Sequence, residues 1–294
     1  MLGIPNHYSV KNRLRYALYR LKWHLVEKTP WSPKYPLHVD LELTNHCNLK
    51  CTMCPHGDPL WAPEKGFMGR DTARQHIDRI AELKVPSLKL QFRGESSLHP
   101  GLVELVEYAK KQGILEVQLN TNGIPWTKAK IDAISRAGLD RIIISVDGAS
   151  EKVYSNIRKG GDWHKLLRNI AGFIDARDRH GNPKVRIQLT QQNENDNEIN
   201  SFREVFQSAD EILVKPVRSR NTGKRRPCPQ PRRRAVIGWD GRMYACCHAW
   251  NDESYVGDAD LESWREKTRY MREAAKQPDR FFPCRSCQIR ESYR

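Results

Sequence analysis

Residues 38–54 read HVDLELTNHCNLKCTMC. His38–Thr44 reads as a strand. The strand runs straight into a loop carrying Cys47, Cys51 and Cys54 in a C-x3-C-x2-C arrangement. Thiolates bind soft metals and iron–sulfur clusters. Three thiolates leave one iron of a four-iron cubane open to a cofactor or substrate. A structural zinc site asks for four closed ligands, so His56 or a distant cysteine would have to supply the fourth.

Downstream the chain alternates. Strands are predicted at 87–92, 115–120, 141–147, 184–190 and near 210–215, and helices at 71–84, 101–112, 127–137, 163–179 and 198–208. Strand–helix alternation at this spacing predicts βαβ units and a parallel sheet. Six strands are too few for a closed eight-stranded barrel, so the expected fold is α/β, a partial (β/α)6 barrel with ligands at the C-terminal ends of its strands. Beyond residue 216, strands 235–237 and 243–245 flank the turn Asp240-Gly241, which predicts a hairpin, and a helix is expected over 260–275. The domains read as 1–36, 37–216 and 217–294.

The cysteine loop after a first strand resembles the radical SAM superfamily, named for S-adenosylmethionine (SAM). Met53 stands where many members carry an aromatic residue. The resemblance implies a [4Fe–4S] cluster on Cys47, Cys51 and Cys54 whose open iron chelates SAM and yields a 5′-deoxyadenosyl radical. It implies further cofactor-binding positions at the ends of later strands. Gly94 and Glu95 match the motif that contacts the SAM amino group, with Arg93 in place of its first glycine. Asn122 ends the third strand, and Ser145 and Asp147 end the fourth, where a serine meets the SAM ribose. Arg158 stands where relatives place an arginine near the SAM carboxylate. The order of these motifs along the chain carries the resemblance; each alone is also compatible with a loop, a turn or a solvated charge.

Cys228, Cys246, Cys284 and Cys287 resemble the C-terminal extension called SPASM, in its shortened twitch form. The resemblance implies one auxiliary [4Fe–4S] cluster on these four, with zinc as the alternative. Cys247 is then a small buried hydrophobe, a replacement ligand for Cys246, or a hydrogen-atom donor to a substrate radical.

The net charge is +15, and it is concentrated. Residues 1–35 carry seven basic residues against Glu27, and residues 217–234 carry eight and no acid. Residues 9–27 read as an amphipathic helix with Val10, Leu14, Leu18, Leu21 and Leu25 on one stripe. The stripe is expected to pack on the main domain; the alternative is a membrane surface or partner. No apolar run reaches membrane-spanning length and no secretory signal is present, so a cytoplasmic protein with reduced thiols is expected.

The function expected is oxidation or epimerisation of a small polar, carbohydrate-type substrate, with or without a phosphate, the arginine run holding an anionic group. A peptide-modifying enzyme is the alternative. The resemblance implies a flavodoxin- or ferredoxin-type electron donor. A zinc-containing nucleic-acid binder is the third reading; against it, the basic run lacks interleaved aromatics for base stacking. His99, Glu42 and Gln188 are candidate substrate bases by their place near strand ends.

Overall fold

The computed structural model describes residues 8–216, 229–244, 247, 255–259 and the helical positions Glu266, Arg269 and Glu273. Strands β1 (His38–Leu41), β2 (Ser87–Lys89), β3 (Glu116–Thr121), β4 (Arg141–Ser145), β5 (Lys184–Gln191) and β6 (Glu211–Pro216) are parallel neighbours in that order. Between them run α2 (Arg70–Glu82), α3 (Leu102–Lys111), α4 (Lys128–Arg136), α5 (Glu151–Ile157), α6 (Trp163–His180) and α7 (Ile199–Val205). This is the partial barrel the alternation predicted.

Past β6, the short helix α8 (Gln230–Arg233) leads into β7 (Arg234–Ile237), which pairs in parallel with β1. The predicted hairpin is present: β8 (Arg242–Tyr244) returns antiparallel through Asp240-Gly241, and β9 (Tyr255–Asp258) adds a further strand. The hairpin therefore extends the barrel sheet beyond β1. The expected helix 260–275 lies almost wholly outside the described residues.

The pleat gives the strands two faces of opposite character. Val39, Leu41, Val117, Leu119, Ile142, Ile144, Val185 and Ile187 face the helices and form the core with residues such as Ile77, Leu105 and Phe173. Fully burying one such side chain contributes about 1.5–3 kcal/mol. The other face carries His38, Asp40, Glu42, Lys89, Glu116, Gln118, Arg141, Arg186 and Lys215. Its lower layer is buried and ion-paired. Asp40 accepts from Lys89 (2.8 Å) and Arg234 (2.6 Å), and Glu211 accepts from Arg141 (2.7 Å).

Helix α1 (Val10–Lys28) closes the end of the sheet where β1–β3 begin. Ser9 caps it, its hydroxyl accepting from Asn12 N. The Tyr8 hydroxyl donates to Leu115 O (2.5 Å), Tyr16 to Glu116 (3.2 Å), and Trp23 meets the His38 ring edge-on at 6.1 Å. The helix does pack on the main domain, but through Tyr16, Tyr19, Trp23 and Val26. The leucine stripe expected to be buried is exposed. Large aromatic rings bury more surface than leucines, and they took the inner side.

The arginine run also differs from expectation. Arg232 donates to Val26 O, Thr29 O and Trp31 O at the C-terminus of α1, where orphan carbonyls favour a cation. Arg233 stacks on Trp23 at 4.1 Å, and Arg234 pairs with Asp40. These three hold the fold together and are not an open anion patch. Residues 217–228 lie outside the described residues.

Candidate active site

The cysteine loop sits at the C-terminal end of β1 and is gripped from two sides. Lys50 N donates to Lys159 O (3.0 Å) and Thr52 N to Ile157 O (2.9 Å), which ties the loop to the end of α5. Glu95 N donates to His46 O (2.8 Å), which ties it to the segment after β2. Cys51 is buried, and Cys47 and Cys54 are half-buried. Burial pushes the Cys47 thiol up to about 12, and raises Cys51 and Cys54 as well. At neutral pH these groups hold their protons until metal displaces them.

Gly94 is required by close approach. A Cβ there would lie 2.2 Å from Thr44 O and 2.6 Å from His46 O. Beside it, Glu95 is buried, and its carboxylate accepts from the Ser97 hydroxyl (2.6 Å), the Thr121 hydroxyl (2.8 Å) and Asn122 N (2.7 Å). Burial raises its pKa against the pull of those donors. Glu95 thereby fastens β3 to the cysteine loop. Asn122 donates through Nδ2 to Asn48 (2.8 Å) and approaches Cys47 Sγ at 3.9 Å.

Asp147 and Arg158 form the second clamp. Asp147 has φ +64°, uncommon for a residue with a side chain. It is held there by Thr190 N donating to its carboxylate (2.6 Å) and Asn195 Nδ2 donating to its carbonyl (3.0 Å). Arg158 donates from Nε (2.8 Å) and Nη2 (2.5 Å) to the same carboxylate. Its remaining Nη1 lies 3.7 Å from Cys51 Sγ. The sequence marked both residues; their pairing, and the aim of Arg158 at a thiol, are new. Ser145 ends β4 half-buried on the inner face.

Arg93, the departure from the family motif, has a definite role. It donates to Glu42 from its backbone (2.8 Å), Nε (3.1 Å) and Nη2 (2.7 Å), and its guanidinium lies 4.6 Å from the Tyr244 ring centroid. The arginine joins the first two strands to the hairpin, and it occupies Glu42. His99 is likewise committed, to Met68 O (2.9 Å) and Gly101 N (3.1 Å). Neither His99 nor Glu42 is placed as a substrate base. Gln188 is buried on the inner face.

Sequence reasoning missed Lys215. It is the penultimate residue of β6, on the inner face, with protein around it though its own surface stays open to solvent. Burial and the charges of Lys89, Arg186 and Arg234 push its pKa down to about 8. Among the described residues no carboxylate pairs with it, because Asp40 and Glu211 are taken by other cations. Cys247 packs against Phe92, Val236 and Tyr244 and lies within electrostatic reach of Lys215.

The residues fit the implied cofactors. The three thiols influence one another electrostatically, yet among the described residues no three His, Cys, Asp or Glu side chains close on one ion. Ser96 Oγ, Asn120 Oδ1 and Gln192 Nε2 are buried near the strand ends without a partner, as groups awaiting a polar ligand would be. Cys228, Cys246, Cys284 and Cys287 lie outside the described residues, so the auxiliary ligand set gains no geometry.

Comparison with known proteins agrees with this site. Residues 41–205 match the family model described as the radical SAM superfamily, and residues 228–288 match one described as an iron–sulfur cluster-binding domain. Over 136 residues the chain is 34% identical to GTP 3',8-cyclase of Limosilactobacillus fermentum, covering 46% of this chain and 40% of that protein. Over 138 residues it is 33% identical to AdoMet-dependent heme synthase of Methanosarcina barkeri, covering 47% and 38%. The match thus spans less than half the length of these relatives. In fold, the chain resembles anSMEcpe with bound AdoMet, with a TM-score of 0.65 and 15% identity over 87% of this chain and 84% of that one. It also resembles BtrN in complex with AdoMet and 2-DOIA, with a TM-score of 0.59 and 16% identity over 82% and 87%.

Proposed function

The chain belongs to the radical SAM superfamily, and on that premise we propose that it abstracts a hydrogen atom from a polar, anion-bearing substrate seated on the inner face of the sheet. It is an enzyme that uses SAM and [4Fe–4S] clusters. When bound, cluster and SAM together supply a one-electron cleavage that leaves a carbon radical able to take hydrogen from an unactivated C–H bond.

This chain's residues hold and shape that chemistry. Cys47, Cys51 and Cys54 would ligate the cluster. Arg158, held by Asp147, presents Nη1 beside Cys51, and Asn122 presents Nδ2 beside Cys47; hydrogen bonds to cluster sulfurs tune potential. Gly94, Glu95 and Ser145 line the strand ends where SAM would lie. Auxiliary-cluster ligation by Cys228, Cys246, Cys284 and Cys287 follows from the family alone.

One observation carries the substrate class: Lys215, unpaired among the described residues and surrounded by Lys89, Arg186 and Arg234. Such a group is neutralised by a phosphate or carboxylate. The relatives named for a reaction of GTP, which bears a triphosphate, support an anionic substrate. They give no support to a carbohydrate as such. A peptide with an acidic side chain is the second reading, favoured by fold neighbours crystallised with peptides. Two-electron oxidation is preferred to epimerisation; in the latter, Cys247 would return the hydrogen atom.

The test is an anaerobic assay of cluster-loaded protein with SAM, a reductant and deuterated candidate substrates. Deuterium appearing in 5′-deoxyadenosine with anionic substrates supports the reading. Failure to form 5′-deoxyadenosine at all would sink the radical assignment. Equal turnover of neutral analogues would sink the substrate class. Solvent deuterium retained at an inverted carbon would replace oxidation by epimerisation.

A further inference from the structure

Helix α1 has two apolar faces, and among the described residues only one is covered. Tyr16, Tyr19, Trp23 and Val26 pack on the starts of β1–β3. On the far side Val10, Leu14, Leu18, Leu21 and Leu25 are between 41% and 77% exposed. At 3.6 residues per turn these five fall within roughly 80° of arc and extend about 22 Å along the axis. They form one straight ridge of aliphatic side chains, which a solvated helix face does not carry.

The charge along this ridge is of one sign. Lys11, Arg15 and Lys22 border one edge, Arg13 stands on the other, and Lys28 closes the C-terminal end. The helix's one acid, Glu27, faces away toward Arg233, at 3.7 Å. Trp31, 42% exposed, follows within three residues of the helix end. Leucines on one face, flanking lysines and arginines, and a tryptophan at the edge are the chemistry of a helix lying in an anionic lipid–water boundary. Pairing two copies through the ridge would bring their basic borders together, which disfavours a homodimer.

We propose that α1 docks the enzyme on an anionic membrane surface, with the ridge of Leu14, Leu18, Leu21 and Leu25 in the headgroup–acyl boundary and the flanking basic residues on the lipid charges. The geometry suits this. The helix covers the end of the sheet where β1–β3 start, whereas the cysteine loop lies at the end where β1 finishes, so a docked bilayer leaves the reaction site open. The proposal is independent of the substrate reading.

Flotation of the full, cluster-loaded chain with vesicles tests it. Vesicles of phosphatidylcholine and phosphatidylglycerol in equal parts should carry the protein, and vesicles of phosphatidylcholine alone should not. Replacing Leu14, Leu18 and Leu21 together by Gln should weaken vesicle binding roughly tenfold or more, with unfolding temperature and SAM cleavage unchanged. Binding should also weaken from 0.1 M to 1 M salt, as the Debye length falls from about 10 Å to about 3 Å. The proposal is overturned if wild type ignores the mixed vesicles or the triple variant binds them equally. It is also overturned if the ridge instead holds a second copy, seen as a dimer that the triple variant turns into a monomer in sedimentation.

Discussion

The two faces of the same strands obey different rules. The helix-facing side of β1–β5 is aliphatic until the strand ends, where Thr121 and Gln191 turn it polar, while the inner side stacks Asp40, Lys89, Glu116, Arg141 and Arg234 in a linked ionic layer. The first face is stabilised by burial that any well-packed aliphatic set would give. The second places charges out of water, where even good pairing does little more than offset desolvation. A chain keeps such a face for what it binds or positions. One side of the sheet is packed on the helices, and the other orders the charged side chains that lead up to the candidate site.

That contrast can be broken in order of expected size. Asp40→Ala leaves Lys89 and Arg234 buried without their carboxylate and should cost about 3–5 kcal/mol in urea unfolding; a cost below 1 kcal/mol would mean the lower layer is not a paired network. His38 comes next. Burial lowers its pKa from 6.5 to about 4, so the folded state resists a proton that the unfolded chain accepts. Stability is therefore full above about pH 6.5 and declines as pH falls toward 4, by roughly 3 kcal/mol in total. In His38→Asn this slope should shrink by that amount, leaving the smaller share of His56, whose pKa burial also lowers to about 4; an unchanged slope would assign the whole of it to other groups.

Lys215→Gln should raise KM for an anionic substrate about 10- to 100-fold, from the loss of a charge-assisted hydrogen bond, without lowering the unfolding midpoint. In wild type, kcat/KM should fall as pH rises through about 8, where free Lys215 loses its proton. Lys215→Arg should hold activity to higher pH, and an unmoved profile would remove Lys215 from binding. Smallest is Ile142→Val on the helix-facing side, expected to cost about 1 kcal/mol of stability and nothing in kcat or KM. A catalytic defect there would show the two faces are coupled.

Much of the fold was legible because alternation at period two and at 3.6 carries through β1–β6. Helix α5 was not, since seven residues, EKVYSNI, are too few to display a periodic face. The α1 stripe was located correctly and oriented wrongly. Periodicity reveals that a helix has a face, whereas what the face meets depends on tertiary partners such as Leu115 and His38. In the site, the cysteine spacing was readable because ligand geometry is local. The Asp147–Arg158 pair was not, because α5 brings together residues eleven apart. Lys215 looked like an ordinary strand-end lysine; its significance comes from neighbours on β2, β5 and β7.

The stopper that α1 forms under β1–β3 closes those strands at the end opposite the cysteine loop. Tyr8, Tyr16 and Trp23 fill the far end, and the ionic layer above them is buried. Along these three strands the inner face is therefore approached from the end that bears the cysteine loop.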